Sequence, residues 1–151
     1  MLVGLLLACL LAGTLSSMAT IPNIPGWYQA LAKPVWTPPD WLFAPVWTVL
    51  YILMAGAAWL AWRADPKGPE ARLALDAFFV QLVLNALWPW TFFALQSPAL
   101  GLIVIVALLA SIVWTMRRFF VVSALAAWLM LPYLLWVMFA AALNGAVLAM
   151  N

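Results

Sequence analysis

Long apolar stretches separated by short polar connections make up almost the whole of this 151-residue chain. Each stretch reaches or approaches the roughly 17 to 25 residues that a helix needs to cross a lipid bilayer. The pattern therefore predicts an all-α membrane protein in which residues 1–151 form one bundle of five transmembrane helices. The predicted spans are residues 2–20, 41–62, 73–95, 99–116 and 122–143. Asn144 and Gly145 are expected to end the fifth helix, because both residue types favour helix C-termini.

Composition agrees with a lipid environment, since 70% of the residues are hydrophobic and 7% are charged, against about 25% charged in soluble domains. The net charge of +2 comes from residues that flank the spans and does not indicate a nucleic-acid partner. One side of the predicted bundle carries Arg63, Lys67 and Arg72, together with Arg117 and Arg118 in the expected turn before the fifth span. The other side carries only Lys33. Because loops rich in Lys and Arg usually face the cytoplasm, a cytoplasmic N-terminus is predicted.

The first apolar stretch has two interpretations, a retained helix or a cleaved signal peptide. Ser17-x-Ala19 resembles a cleavage site, but no Lys or Arg precedes the apolar region, as it would in a signal peptide. Small residues recur every fourth position, which is the spacing that lets membrane helices approach closely; they are Gly4, Ala8, Ala12 and Ser16. A retained helix is therefore predicted. Cys9 has no partner for a disulfide within the chain and is expected to be a small buried residue.

The longest connection, residues 21–40, has an unusual composition for a loop. It holds five prolines, at positions 22, 25, 34, 38 and 39, together with the aromatic residues Trp27, Tyr28 and Trp36. Proline fixes the backbone, so a stiff, extended segment that lies on the bundle as a lid is predicted. The alternative is an interfacial belt in which these aromatic rings anchor at the lipid headgroups.

Aromatic residues on three spans are predicted to lie at one depth beneath this lid. At 1.5 Å per residue, Trp47 and Tyr51 lie about 9 and 15 Å below the lid-side surface. Counting back from the ends of the third and fifth spans places the corresponding residues at about 5 to 15 Å; they are Phe92, Trp88, Asn85, Ala140 and Trp136. Within each span these residues recur at three- or four-residue steps, so each set shares one helix face.

Polar groups are also expected on the inward face of the bundle. An amide at mid-membrane depth is costly to expose to lipid, so Gln81 and Asn85 must point inward. Pro89 and Pro132 each remove a helical hydrogen bond, which frees the carbonyls of Asn85 and Trp128. Such carbonyls need a partner from another helix, from water or from a ligand. A tightly packed core in which the prolines only kink their helices is the alternative.

Conventional catalytic groups are missing from the sequence. The chain has no His, no second Cys, no pair of carboxylates within a span and no Gly-rich phosphate loop. Asp76 is the one carboxylate within an apolar stretch, and an ion pair with Arg72 one turn away is expected. Neither a metal site nor acid–base catalysis is therefore predicted.

Three motifs resemble those of the TspO/MBR family, which includes the tryptophan-rich sensory proteins, the translocator protein and the peripheral-type benzodiazepine receptor. The first consists of Trp27-Tyr28 followed by KPVWTPPDWLFAPVWTVLY at residues 33–51. The second is Asn85-x-x-Trp88-x-x-x-Phe92-Phe93, and the third is Pro132-Tyr133-x-x-Trp136-x-x-Phe139-Ala140. Together they cover residues 27–144, and the first helix agrees only in character.

This resemblance implies a five-helix bundle, often a homodimer, that binds porphyrins and other tetrapyrroles without a covalent cofactor or a metal. Carried over by motif, the ligand-binding residues are Tyr28, Trp36, Trp47, Tyr51, Asn85, Trp88, Phe92, Trp136, Phe139 and Ala140. Pro89 stands where some members have a small polar residue. The cholesterol-binding pattern of eukaryotic members needs a basic residue near the C-terminus, but none follows Arg118. A bacterial-type protein in a bacterial cell membrane, inner or outer, is expected.

Three functions follow from these features, in decreasing order of support. The first is a receptor or sensor that holds a flat tetrapyrrole between aromatic rings. The second is an enzyme that degrades a bound porphyrin by a light- or oxidant-driven reaction, with Trp47 and Trp136 as redox-active side chains. The third is a transporter of porphyrin- or sterol-like ligands, although the sequence offers neither an inverted repeat nor an intramembrane charge pair for coupling.

Overall fold

A computed structural model describes residues 1–151 and contains helices and short connections without a β-strand. The helices are α1 (Leu2–Thr20), α2 (Phe43–Ala64), α3 (Pro69–Pro89), α4 (Pro98–Val122), α5 (Ala124–Leu129) and α6 (Leu131–Met150). Five segments are long and apolar enough to cross a membrane, and α5 and α6 together form the fifth. This architecture confirms the predicted five-helix bundle.

Small residues allow the helices to approach closely in the centre of the bundle. On α2, Ala55, Ala57, Ala58 and Ala61 are all fully buried. Between helices in a bilayer the attraction comes largely from van der Waals packing, because lipid tails are as apolar as the side chains. The helix α1 packs on α2 and α3, whereas α4 packs on α3 and α6.

The face of α1 that is buried differs from the predicted stripe of small residues. Gly4 is exposed, and a β-carbon there would meet no atom within 4 Å. The buried face consists of Leu5, Cys9, Ala12 and Ala19. Leu5 and Cys9 therefore take the place of Gly4 and Ala8, while Ala12 is buried as predicted.

The end of α4 lies beyond the predicted boundary at residue 116. Arg117 and Arg118 were expected in a turn, but the helix continues through both and ends at Val122. Ser123 then forms the whole connection, and its side chain accepts a hydrogen bond from the amide of Ala126 at the start of α5. A single capping residue satisfies a helix start without a longer loop, and basic side chains near a helix C-terminus are favoured by the helix dipole.

The fifth span also departs from the predicted single helix over 122–143. It is interrupted at Met130, and Pro132 lies in the first turn of α6, where its missing amide hydrogen costs nothing. Pro132 therefore begins a helix instead of kinking one. Asn144 and Gly145 do not end α6, which continues to Met150.

The ion pair expected at the charged end of the bundle needs correction. Arg72 and Asp76 are both exposed and form no ion pair within 4 Å. The ion pair in the structure joins Arg118 and Glu70, with 3.8 Å between the nitrogen and the oxygen, and both side chains are more than a third exposed. An ion pair of this kind contributes little stability, but it places the start of α3 beside the end of α4.

The remaining boundaries of α2 and α3 shift by a few residues. A 3₁₀ turn over Asp40–Leu42 precedes α2, which begins at Phe43 instead of residue 41. Gly68 caps α3, which begins at Pro69 instead of residue 73. At its other end α3 reaches Pro89 and widens into a π-helical turn over Trp90–Ala94. A proline has no amide hydrogen for the helical ladder, so a change of helix type at this position is expected.

Candidate functional site: an aromatic cavity beneath the lid

The segment of residues 21–40, called the lid loop below, is mostly helical in its first half and extended in its second. A 3₁₀ turn over Ile21–Asn23 continues from α1, and the wide turn over Ile24–Tyr28 that follows is broken at Pro25 and Gly26, whose backbone is not helical. Gly26 has a φ of 89°, a conformation that side chains other than glycine rarely adopt, and it redirects the chain within this turn. The predicted extended path is therefore wrong for residues 21–24, which continue the helical path, whereas Pro25 is extended with a ψ of 133° and turns the chain together with Gly26.

Aromatic contacts fix the first half of the lid loop to the end of α3. The ring centroid of Trp27 lies 5.5 Å from that of Phe92, in an edge-to-face arrangement. The ring of Tyr28 lies 5.4 Å from that of Phe93. Pairs of this kind contribute about 0.5 to 1.5 kcal/mol each beyond the area they bury. Tyr28, which is buried, therefore closes the bundle above α3.

Hydrogen bonds fix the middle of the lid loop. The ammonium group of Lys33 donates to the carbonyl oxygens of Tyr28 at 2.6 Å and Leu31 at 3.1 Å, and it lies 4.7 Å from the centre of the Tyr28 ring. The side-chain amide of Asn151 pairs with both backbone groups of Ala32, at 3.0 Å to the nitrogen and 2.9 Å to the oxygen. The end of α6 thus holds the lid loop in place.

A cavity of about 480 Å³ lies beneath the lid loop, between α1, α2, α3 and α6. Nine of the ten residues expected to bind ligand form part of its wall: Tyr28, Trp47, Tyr51, Asn85, Trp88, Phe92, Trp136, Phe139 and Ala140. Trp36 does not reach the wall. Its ring is 47% exposed and packs on the outer side of Phe139, with 5.6 Å between the ring centroids.

The helix α1 contributes a whole side of the cavity that the sequence did not predict. The residues of α1 on this side are Leu10, Gly13, Thr14, Ser16, Ser17 and Thr20. Gly13 permits the ring of Tyr51 to approach so closely that a β-carbon at this position would lie 2.9 Å from the ring. The recurring hydroxyl and glycine residues in the second half of α1 were the available signal. Of these residues, only Ser16 was assigned a role in helix packing.

A chain of hydrogen bonds forms the floor of the cavity and continues into the centre of the bundle. The hydroxyl of Tyr51 donates to Oδ1 of Asn85 at 2.7 Å, and Nδ2 of Asn85 donates to the hydroxyl of Tyr133 at 2.9 Å. The Tyr133 hydroxyl in turn donates to Oε1 of Gln81 at 2.8 Å. All four residues are buried, so the inward position predicted for Gln81 and Asn85 is confirmed. Nε2 of Gln81 is buried without a partner.

A second amide links the wall of the cavity to α4. Oδ1 of Asn144 accepts a hydrogen bond from the indole nitrogen of Trp88 at 3.1 Å, and its Nδ2 donates to the carbonyl of Pro98 at 2.7 Å. Gly101 allows this approach, because a β-carbon there would lie 2.8 Å from Oδ1 of Asn144. Asn144 therefore orients Trp88 rather than ending α6.

The chemistry of the wall is apolar and aromatic, with a few fixed polar groups. Trp47 lies 5.6 Å from Tyr51, and Trp136 lies 6.0 Å from Phe43, measured between ring centroids. Asp40 at the lid-side edge is the one wall residue with an ionisable acidic or basic side chain. No group of three or more His, Cys, Asp or Glu side chains lies close enough to bind a metal ion. The arrangement is suited to burying and stacking a flat hydrophobic molecule.

Comparison with known proteins identifies the family of this chain. Residues 5–150 match the model of the TspO/MBR family. The chain is 43% identical to the tryptophan-rich protein TspO of Chlorobaculum tepidum, over 95% of this chain and 90% of the relative. It is 41% identical to the protein of the same name from Archaeoglobus fulgidus, over 99% and 96% of the two chains. It is also 37% identical to the translocator protein of Sus scrofa, over 94% and 85%. With its five spans and this match along its length, the chain is an integral membrane protein that belongs to the TspO/MBR family.

Proposed function

We propose that this protein binds a flat tetrapyrrole, such as a porphyrin, in the cavity beneath the lid loop. The observation that carries the proposal is the convergence of Trp47 on α2, Trp88 on α3 and Trp136 on α6 around one cavity. Indole rings bury a large area and stack on flat conjugated molecules. The relatives named tryptophan-rich sensory protein and translocator protein support a sensor- or translocator-type role in the membrane.

The size and polarity of the cavity suit such a ligand. Its volume of about 480 Å³ falls within the roughly 300 to 1,000 Å³ of typical small-molecule sites. Asn85 uses one of its two amide hydrogens on Tyr133, so the second is free to donate to an acceptor on the ligand. A tetrapyrrole would therefore be held by stacking and oriented by Asn85.

The proposal is tested by titrating the detergent-solubilised protein with protoporphyrin and following tryptophan fluorescence. Trp47→Phe combined with Trp136→Phe should weaken binding about tenfold, since each altered aromatic contact is worth about 0.5 to 1.5 kcal/mol. Trp114→Phe combined with Trp128→Phe is the matched control, because both of these rings are exposed and lie outside the cavity wall. Absence of saturable quenching in the parent, or equal affinity in the two double variants, would contradict the proposal.

Crowding the cavity tests the same site by a different route. Ala140 is buried in α6 and lies on the wall beside Trp136. Ala140→Phe should lower porphyrin affinity about tenfold or more, because added volume in a filled site costs about 1 to 3 kcal/mol. Met138→Phe on the exposed side of the same helix is the control and should bind like the parent. Unchanged affinity in Ala140→Phe would place the ligand elsewhere.

A second candidate function, light-dependent breakdown of bound porphyrin, is favoured by the positions of Trp47 and Trp136 on the cavity wall. Illumination of the complex in air should then produce a new pigment whose yield falls in the Trp47→Phe and Trp136→Phe variants under conditions where porphyrin saturates the site. Unchanged spectra after illumination would leave binding as the function.

A further inference from the structure

The cavity does not end at buried residues on the side formed by α1 and α2. Several residues on this part of its wall are exposed at the outer surface of the bundle. They are Leu10, Thr14 and Ser17 on α1 and Ala44 and Thr48 on α2, and are called the portal residues below. Ile21 and Asp40, which also line the cavity and are exposed, continue this rim at the lid-side ends of the two helices. A residue that both lines a cavity and is exposed outside marks an opening. The cavity therefore opens sideways between the lid-side halves of α1 and α2.

This opening lies at the depth of the lipid tails. Thr14 is six residues and Leu10 ten residues before Thr20, the last residue of α1, so they lie about 9 and 15 Å below the lid-side end of the helix. Thr48 follows the first residue of α2 by five positions, or about 8 Å. The hydrocarbon core is about 30 Å thick, and α1 spans most of it with 19 residues. Leu10, Thr14 and Thr48 are consequently expected to face lipid, whereas Ser17 and Ala44 lie closer to the lid-side surface.

The polar groups at the opening are arranged for contact with lipid. The hydroxyl of Thr14 donates to the carbonyl of Leu10 at 2.9 Å, and that of Ser17 donates to the carbonyl of Gly13 at 2.9 Å. The hydroxyl of Thr48 donates to the carbonyl of Ala44, also at 2.9 Å. An unpaired donor costs several kcal/mol in hydrocarbon, and these three donors are all paired within their own helix. The rim carries no charged side chain at this depth.

Away from Ile21 and Asp40, aromatic contacts close the route through the lid loop. Tyr28 packs against Phe93 just beyond the end of α3, and Trp36 packs against Phe139 on the side of α6. Passage toward water on this side would require these aromatic pairs to separate and would also break the bonds between Asn151 and Ala32. No contact of that kind blocks the opening between α1 and α2.

We propose that the opening between α1 and α2 is a lateral portal through which a hydrophobic ligand passes between the bilayer and the cavity. The inference rests on the proposed function, since it supplies the path for the ligand that the cavity would hold. A porphyrin partitions into membranes through its apolar ring, so it meets the protein at the depth of the portal. The lid loop then acts as a fixed roof rather than as the gate.

The kinetic test uses proteoliposomes and protoporphyrin delivered from donor vesicles, with stopped-flow quenching as the readout. Thr14→Phe combined with Thr48→Phe narrows the portal, so the uptake of protoporphyrin should slow about tenfold. Its release should slow by a similar factor, because a higher barrier between the free and bound states slows passage in both directions. Leu15→Phe combined with Val49→Phe adds similar bulk to the same helices. Both control positions are exposed and lie outside the cavity wall, about 100° around their helices from Thr14 and Thr48. Unchanged uptake in the portal variant, or equal slowing in the control, would overturn the proposal.

A spin-label experiment tests the opening without any ligand. It needs only single cysteine substitutions in a Cys9→Ala background, so it can be done even if the Thr14→Phe, Thr48→Phe double variant does not fold. In a Cys9→Ala background, nitroxide labels at Thr14→Cys, Leu15→Cys and Asp65→Cys are compared for collisions with oxygen and with a water-soluble nickel chelate. The label at position 14 should match the lipid-facing label at 15, with high oxygen and low nickel access, and differ from the label in the exposed loop at 65. Nickel access at 14 equal to that at 65 would show a water-facing opening and overturn the portal. If the parent protein shows no saturable porphyrin uptake, the proposed function is refuted. The spin label at position 14 still decides in that case whether the opening faces lipid.

Discussion

Replacing Tyr133 by phenylalanine tests whether the floor of the cavity is held by its hydrogen-bond chain. Tyr133 is fully buried, and its hydroxyl accepts from Nδ2 of Asn85 and donates to Oε1 of Gln81. The substitution leaves the ring and its packing in place, so it creates almost no cavity. It removes two hydrogen bonds and leaves two buried polar atoms without a partner.

The expected cost follows from those two losses. A buried polar group without its partner costs about 1 to 3 kcal/mol in soluble proteins. Between membrane helices one hydrogen bond averages about 0.6 kcal/mol and reaches about 1.7. Two such bonds give a loss of about 1 to 3 kcal/mol in the free energy of unfolding for Tyr133→Phe. Tyr51→Phe removes one bond at the cavity wall and should cost about 0.5 to 1.5 kcal/mol.

The three tyrosines of the chain form a matched series for the measurement. Tyr28 is buried like the other two, but its hydroxyl forms no hydrogen bond within the protein, so Tyr28→Phe is the control. Unfolding is followed by circular dichroism during titration of mixed micelles with sodium dodecyl sulfate. The reasoning is refuted if Tyr133→Phe unfolds within about 0.3 kcal/mol of Tyr28→Phe, which is the usual scatter of such comparisons.

Two further predictions concern the contacts that surround the cavity. Gly101→Ala should destabilise the protein by about 1 to 3 kcal/mol, because its β-carbon would lie 2.8 Å from Oδ1 of Asn144. Gly145→Ala is the control, because a β-carbon at this position would meet no atom within 4 Å. It should be neutral or stabilising by up to about 1 kcal/mol in the same unfolding assay. Equal effects of the two substitutions would contradict the steric argument. Asn151→Ala removes both bonds to Ala32 and should raise hydrogen exchange at the Ala32 amide about tenfold with little change in global stability. Unchanged exchange at that amide would mean that the lid loop is held by its aromatic contacts alone.

The layer of aromatic residues could be predicted because helix geometry is nearly invariant. A rise of 1.5 Å per residue and a repeat of 3.6 residues convert sequence positions directly into depths and faces. Trp47, Asn85 and Trp136 therefore lie together on one wall although the spans that carry them are far apart in the sequence. The inward position of Asn85 and Gln81 was predictable for a different reason. A side-chain amide at mid-membrane depth is costly to expose to lipid, so it points into the bundle.

The contribution of α1 could not be predicted in this way. This helix is apolar on every side, so its composition does not indicate which face turns inward. Gly13 and Thr14 reach the cavity because α1 lies against α2 and α3, and that placement depends on tertiary packing. The hydroxyls of Thr14 and Ser17 bond to their own helix, so neither of them selects a partner on another helix.

Helix ends were the other feature that the sequence did not determine. Asn144 favours a helix end when it is considered alone, yet in the bundle its amide bonds to Pro98 and Trp88, and α6 continues past it. Arg117 is polar, yet α4 continues through it because Ser123 caps the next helix directly. In both cases a contact with another part of the chain outweighed a local preference worth about 1 kcal/mol.

A cavity of this size persists in the bundle because its boundaries are held from two sides. Moving an apolar side chain from lipid into the protein interior gains little hydrophobic free energy, because both environments are apolar. Hydrophobic burial therefore does not by itself collapse the space between the helices. The hydrogen-bond chain from Tyr51 to Gln81 fixes the floor, and the contacts of Tyr28 with Phe93 fix the roof. Floor and roof therefore set the shape of the cavity, whereas the opening between α1 and α2 sets the rate at which it fills. Substitutions at Tyr133 should accordingly affect stability more than the rate of ligand uptake, whereas substitutions at Thr14 should affect the rate of uptake more than stability.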